Sequence, residues 1–306
     1  MKMGSKTAAV VVTYNRRELL KKCIKRLLEQ TIPCDIYVID NASADGTADM
    51  IRDEYVGSSL RYFNTGKNLG CSGGNEFGIR EALKAGYEYI WTLDDDVIPE
   101  RDSLEQLFRG GKALKGRWGV LSSVVKWKDG SICKANRQKK SLFTFVTDRE
   151  LKKKKAVRVK MVSFASMLIR ASVVRDVGLP KVEYFIWTDD YEYSGRVSRR
   201  YPVYVIPQSV VLHEMKRNRK HDLATEQGER IHRYKYLFRN DVDCYRDYGI
   251  AGWSYILLKD IGTSVRILMF SGADAGHRLR VVWSSFKKGL HFRPEVRYPD
   301  RSSDRV

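Results

Sequence analysis

The chain has 306 residues, of which 43% are apolar and 11% aromatic, enough for a substantial core and too apolar for an intrinsically disordered polymer. Its formal charge of +19 calls for an anionic partner, whether nucleic acid, a membrane surface or a phosphorylated substrate. The five cysteines (Cys23, Cys34, Cys71, Cys133 and Cys244) form no CxxC pair, which argues against a zinc signature or a disulfide framework and for a reducing, cytoplasmic setting.

Met1-Lys2-Met3-Gly4-Ser5-Lys6 leads into a strand without a signal-peptide core, and no uninterrupted apolar run is long enough to span a bilayer. Ala8 to Val12 then reads as a buried strand ending in Thr13-Tyr14-Asn15-Arg16, and Glu18 to Gln30 as a helix with Leu19, Leu20, Ile24, Leu27 and Leu28 at helical spacing. Ile36 to Ile39 is a second strand, ending in Asp40-Asn41-Ala42-Ser43. A short helix over 47–55 and a strand over 60–63 follow. Asn68 to Gly78 reads as a Gly-rich turn entering a helix that ends near Gly86. Tyr89-Ile90-Trp91-Thr92-Leu93 is the next strand, closed by Asp94-Asp95-Asp96. This alternation predicts an α/β fold, a Rossmann-like, mostly parallel sheet flanked by helices, with ligands at the carboxyl ends of the strands.

Beyond residue 115 the pattern loosens. Val120 to Trp127 and Met161 to Arg170 read as strands, and 129–160 as a polar, basic and mobile loop or hairpin. Val203 to Ile206 and Val210 to Leu212 read as two short strands, the second ending at His213. From Thr225 the pattern is helical. The expected organisation is a catalytic domain over 1–240, with a nucleotide half near 1–115 and an acceptor half near 116–240, followed by a basic helical region over 241–306.

Three carboxylates leaving a buried strand together repel one another, and a divalent cation shared with substrate phosphates relieves that repulsion. The bland alternative is a solvated acidic turn closed by Pro99. In Tyr184-Phe185-Ile186-Trp187-Thr188-Asp189-Asp190-Tyr191-Glu192-Tyr193, two adjacent carboxylates sit amid aromatics. Desolvation there raises a carboxyl pKa, which suits a general base, although a helix N-terminus would also favour acidic residues. His213 after an apolar strand is a metal-ligand candidate, against the commoner structural histidine. Asn68-Leu69-Gly70-Cys71-Ser72-Gly73-Gly74-Asn75 has the look of a phosphate loop but matches no strict nucleotide motif.

VVVTYNR, VIDNASADGT, NTGKNLGCSGGNEFGI, WTLDDDV and FIWTDDYEYSGR, with VVLHE and RYKYLFRND after them, resemble the inverting family-2 glycosyltransferases of the GT-A fold over roughly residues 8–240. Bacterial galactofuranosyltransferases are most similar, with rhamnosyltransferases as close relatives. The resemblance implies that Thr13, Tyr14, Asn15 and Arg16 line the nucleotide pocket and that Asp40 and Asn41 recognise the base. It implies that Asn68 and Gly70 lie near ribose and diphosphate, that Asp94, Asp95 and Asp96 bind the donor, and that Asp94, Asp96 and His213 hold Mn²⁺ or Mg²⁺. Asp190 is the implied base for the acceptor hydroxyl, with Asp189 as the adjacent alternative. Asp189 and Glu192 would orient the acceptor and Trp187 would stack on a sugar. The implied donor is UDP-galactofuranose or dTDP-rhamnose, and the acceptor a glycan or polyprenyl-linked glycan.

Trp253 to Leu258 and Val265 to Phe270, with the basic tail Arg278, Arg280, Lys287, Lys288 and Arg293, read as amphipathic helices for an anionic membrane surface on the inner face of the cell membrane. Packing on the core or a homo-oligomer contact is the alternative. A nucleic-acid-binding protein accounts for the charge but not for two acidic clusters at strand ends. A nucleotidyltransferase would carry a basic Gly-rich signature where TYNRRELL stands, and a non-catalytic glycan-binding relative would have no need to keep Asp94, Asp96, Asp190 and His213 together.

Overall fold

The computed structural model describes residues 6–219 and 221–299. Residues 1–5, Lys220 of the basic run 216–220 and the last residues of the tail lie outside them.

Strands β1 (Thr7–Thr13), β2 (Asp35–Asp40), β3 (Leu60–Asn64) and β4 (Tyr89–Asp94) pair in parallel in the order β3-β2-β1-β4. Helices α1 (Arg17–Leu28), α2 (Thr47–Glu54) and α3 (Gly70–Lys84) connect them. A strand covered on both faces has no polar side, and the run TAAVVVT in β1 obeys this. Ala8, Val10 and Val12 join a core with Ile79, Ala82 and Leu83 of α3. Ala9 and Val11 join the opposite core with Leu20, Ile24 and Leu27 of α1. Each large aliphatic side chain buried this way contributes roughly 1.5–3 kcal/mol. The polar residues that end β1, β2 and β4 are thereby delivered to one edge of the sheet.

The chain continues through β5 (Val97–Pro99), α4 (Ser103–Ala113), β6 (Val120–Lys126), α5 (Asp148–Lys153), β7 (Val157–Val159), β8 (Met167–Arg170), α6 (Ala171–Val177), α7 (Asp189–Ser198) and β9 (Val203–His213). The sheet extends from β4 as β8-β6-β9-β5, with β7 beside β9, giving nine strands among the described residues. β8 runs antiparallel to both neighbours, while β6 and β9 are parallel. Only Met167–Arg170 of the expected 161–170 strand is extended, because a 3₁₀ turn over Phe164–Ser166 precedes it. Where two short strands were expected after residue 203 there is one, β9. Its pairing with β6 slips between Ser123 and Val124, so that Pro207, which has no N–H for the ladder, sits in the irregularity.

The segment 129–160 is more built than a loop. Thr147 and Glu150 form a reciprocal capping box on α5, and Cys133, Gln138 and Lys139 are buried. Helices α8 (Tyr234–Arg246), α9 (Gly249–Phe270) and α10 (Ala275–His291) pack on one another at the C-terminal end. α8 runs continuously through residue 240, the expected limit of the catalytic part. Among the described residues no helix is long and apolar enough to cross a membrane.

Candidate active site

β1 and β4 lie side by side with Val12 opposite Asp94, so Thr13 to Arg16 and the three aspartates emerge together. The Thr13 hydroxyl donates to Asp95 Oδ2 at 2.9 Å. Arg16 Nη1 donates to Asp95 Oδ1 at 3.1 Å and to Asp96 Oδ2 at 2.7 Å. β9 pairs with β5 so that His213 faces Val97, which brings its Nε2 to 3.1 Å from Asp96 Oδ1. The side-chain oxygen of Asn136 lies 2.7 Å from His213 Nδ1 and fixes the ring by accepting a hydrogen bond from its N–H.

Burial raises Asp94 to about 7, with the charges of Asp96, Asp95 and Asp190 adding to it and His213 opposing. Burial likewise raises Asp95 to about 6 against the pull of Arg16. For Asp96 burial is outweighed by the His213 imidazole and Arg16, and its carboxyl stays below the usual range. The same contact with Asp96 overcomes burial at His213 and favours the imidazolium. Among the described residues no group of three or more His, Cys, Asp or Glu side chains is placed to hold a metal ion. Arg16 and His213 instead supply the positive charge beside Asp96. The donor chemistry nevertheless fits a hard divalent cation: buried carboxylates with too little counter-charge, and an imidazole whose Nδ1 is already oriented by Asn136.

The second cluster begins α7. Asp189 and Asp190 occupy its first turn, where the helix dipole favours carboxylates, so the structural and catalytic readings hold together. Asp189 is buried, with Oδ2 unpartnered, and burial raises it to about 7, Asp94 adding to the rise. Asp190 accepts from the backbone N–H of Tyr191 at 2.7 Å. Burial and the charge of Asp189 raise its carboxyl to about 8, while the buried Lys139 ammonium opposes them. Lys139 itself donates to the hydroxyls of Tyr245 and Tyr255, each at 2.9 Å.

The segment feeding α7 is strained. Phe185 (φ 65°), Trp187 (φ 66°) and Thr188 (φ 66°) all adopt left-handed backbone angles without being glycine. Such residues cost on the order of 1–3 kcal/mol each and persist only where the surroundings enforce them. Phe185 makes a γ-turn, closed by the Ile186 N–H donating to Tyr184 O at 2.7 Å. Its own carbonyl accepts from the backbone N–H of Ser72 at 3.2 Å, tying this segment to the start of α3. Gly70 makes the approach possible: at φ +72°, a Cβ there would lie 2.1 Å from Phe185 O. The two acidic clusters thus lie near one another, and Asp94 and Asp190 feel each other's charge.

Asp40 is fully buried, accepting from Tyr62 OH at 2.6 Å and the Ser43 N–H at 2.8 Å. Asn41 is buried too and donates to Gly70 O at 3.0 Å, so both shape the loops beneath the cleft. Asn15 accepts from the Ala44 N–H and Asn68 from the Gly70 N–H, while Tyr14 is exposed at the rim. Glu192 is engaged by Arg196 at 3.0 Å and Lys181 at 3.5 Å, which turns its carboxylate toward the protein. Trp187 packs between His221 and Tyr234. The Gly-rich stretch is a helix rather than a phosphate turn. Gly74 and Gly78 bring α3 against the sheet, where a Cβ would meet Val12 at 2.5 Å or Val10 at 2.4 Å. Asn136 and Lys139 carried no local signal and lie in the segment expected to be a mobile loop; Asn240 stands inside RYKYLFRND, a motif of the resemblance that implied no role for it.

This sheet, with acidic residues at its carboxyl edge, is that of a GT-A glycosyltransferase. The profile of Glycosyl transferase family 2 matches residues 8–178. The chain belongs to that family. Among similar proteins, galactofuranosyltransferase GlfT1 of Mycobacterium tuberculosis is 29% identical over 205 residues, covering 64% of this chain and 66% of that protein. GlfT1 of Mycolicibacterium smegmatis is 36% identical over 92 residues, 30% of each chain. The matches therefore span 30% to 66% of these relatives. In fold, GalNAc-T7 solved with UDP, GalNAc and Mn²⁺ superposes with a TM-score of 0.64 at 14% identity, covering 94% of this chain and 56% of that one. Staphylococcus aureus TarS 1-349 with UDP-GlcNAc gives 0.53 at 13% identity, over 94% and 73%.

Proposed function

We propose that this family-2 protein is an inverting, metal-dependent galactofuranosyltransferase that moves the sugar from UDP-galactofuranose to a glycan or polyprenyl-linked glycan in cell-surface polysaccharide assembly. The observation that carries it is the position of Asp190 in the first turn of α7, close enough to Asp94 for their charges to interact, with its carboxyl raised to about 8 by desolvation and Asp189. The GlfT1 relatives support the choice of sugar.

In this reading Asp190 accepts the proton of the acceptor hydroxyl as its oxygen attacks the anomeric carbon. The bond to the nucleotide diphosphate breaks on the opposite face, so configuration inverts. Asp189 raises the affinity of Asp190 for that proton by its charge. Asp94, Asp96 and His213 would hold Mn²⁺ or Mg²⁺, which when bound neutralises charge on the departing diphosphate. Arg16 lies at the same edge and holds Asp95 and Asp96 in place.

The same proposal places the protein on the cytoplasmic membrane face. α9 presents Leu257, Leu258, Ile261, Val265, Leu268 and Met269 to solvent, with Leu258 64% and Leu268 65% exposed. Its charged Lys259 and Arg266 pair with Asp241 and Asp222. Exposed Arg280, Lys287 and Lys288 on α10 supply positive charge for anionic lipid.

A screen of nucleotide release with Mn²⁺ present tests the chemistry. Turnover of UDP-galactofuranose that is lost in Asp96→Ala supports the reading. Preference for dTDP-rhamnose moves the sugar assignment to rhamnose, and no turnover of any nucleotide sugar overturns it.

A further inference from the structure

The left-handed residues 185, 187 and 188 stand directly before the two acidic residues of α7, and something must hold them there. The holder is one face of α8, beyond the 8–178 stretch that the family profile matches. Asn240 is fully buried, and its single side-chain NH₂ donates to three backbone carbonyls: Tyr184 O at 2.9 Å, Ile186 O at 3.1 Å and Trp187 O at 2.9 Å. Two hydrogens serving three acceptors require a shared bond, which only a close and fixed amide achieves. The Arg239 guanidinium donates to the Asn240 side-chain oxygen at 2.9 and 3.0 Å, which fixes the end of the amide that faces the segment. Arg239 also donates to Glu183 O at 2.6 Å.

The neighbouring α8 residues complete the grip. Asp241 Oδ1 accepts from the Thr188 hydroxyl at 2.7 Å, and its other oxygen is paired with Lys259 of α9. Asp243 accepts from Tyr184 OH at 2.7 Å and from Lys181 at 2.8 Å. Every left-handed residue of the segment is flanked by a group held from α8, and Phe185 O is held from the α3 side by Ser72. With the base in so constrained a backbone, an error of about one ångström there would cost roughly 100-fold in rate.

We infer that Asn240 is a positioning residue of the active site: through Tyr184, Ile186 and Trp187 it holds the strained segment that aims Asp190 into the cleft. It touches no substrate. This inference rests on the proposed role of Asp190, and it makes the C-terminal helical layer a working part of the catalytic unit.

Asn240→Asp is the test, since it keeps the size and removes the donor. The expected result is a kcat lower by roughly 100-fold, UDP affinity with Mn²⁺ by calorimetry within about threefold of wild type, and faster backbone hydrogen exchange over residues 185–190. A kcat within about threefold of wild type, or unchanged exchange in that segment, overturns it. If Asn240→Asp does not fold, Thr188→Val, which deletes only the hydroxyl donated to Asp241, must show the same loss of kcat with UDP affinity retained. Asp190→Asn run in parallel separates the two claims. Full activity there overturns the role of Asp190 itself, and hydrogen exchange in Asn240→Asp still reports the grip without any turnover.

Discussion

At the scale of single residues the proposed mechanism rests on Asp190, whose environment sets a pH dependence. Groups charged near it are Asp189 on its own helix, Asp94 across the cleft, and Lys139 from the 129–160 segment. Burial and Asp189 raise its carboxyl to about 8, and only the deprotonated form accepts a proton. kcat/KM is therefore expected to rise with pH until about 8 and then level off, and Asp190→Asn to lose roughly 10²–10⁴-fold. A flat profile from pH 6 to pH 9 contradicts this assignment. Asp94 to Asp96 and Asp189–Asp190 could be found in the sequence because carboxylates after apolar or aromatic runs are locally conspicuous. Whether a carboxylate such as Asp40 or Glu192 faces a cleft or an internal partner is not written in its neighbours: Asp40 accepts from Tyr62 on the adjacent strand, and Glu192 pairs with Arg196 one helical turn on. Asn136 and Asn240 stayed hidden for the same reason, as an asparagine's worth lies in which carbonyl or imidazole the fold sets against it.

At the scale of elements, strands buried on both faces were the easiest to read, since β1, β2 and β4 are continuous apolar runs of the right length. The Gly-rich stretch misled because glycine serves loops and close helix–sheet packing equally well. α3 uses it for packing, and a paired experiment shows the difference. Gly78→Ala places a Cβ 2.4 Å from Val10 and 2.8 Å from Ile39, so overpacking of about 1–3 kcal/mol outweighs the gain of about 1 kcal/mol in helix propensity. Gly262→Ala on the open face of α9 meets nothing within 4 Å and keeps the gain. Thermal unfolding should give a lower Tm for the first and a higher Tm for the second; a higher Tm for Gly78→Ala contradicts the packing account. The irregular β9 and the truncated β8 escaped the sequence because periodicity does not register a bulge at Pro207 or a 3₁₀ turn at Phe164.

The whole molecule joins a sheet that gathers two acidic clusters to a helical layer that grips one of them and turns an apolar, basic-flanked face outward. The amphipathic character of the C-terminal helices was legible in the sequence. Their hold on residues 184–188 was not, because it exists only once α8 packs beside α7. If α9 lies on lipid, the protein should co-sediment with phosphatidylglycerol vesicles and less so with neutral ones, and high salt should weaken the binding. Leu258→Asp with Leu268→Asp should lower vesicle binding roughly tenfold and leave turnover of a soluble acceptor intact. Equal binding by the double variant contradicts a bilayer as the occupant of that face.

In the proposed mechanism labour is divided between the two acidic clusters, with the donor held at Asp94 to Asp96 and the acceptor activated at Asp190. Calorimetric titration of UDP in the presence of Mn²⁺ tests it most directly, on wild type, Asp96→Ala and Asp190→Asn. The account predicts binding by wild type and Asp190→Asn alike and a loss of roughly tenfold or more in Asp96→Ala. Undiminished binding by Asp96→Ala, or none by wild type, would contradict it.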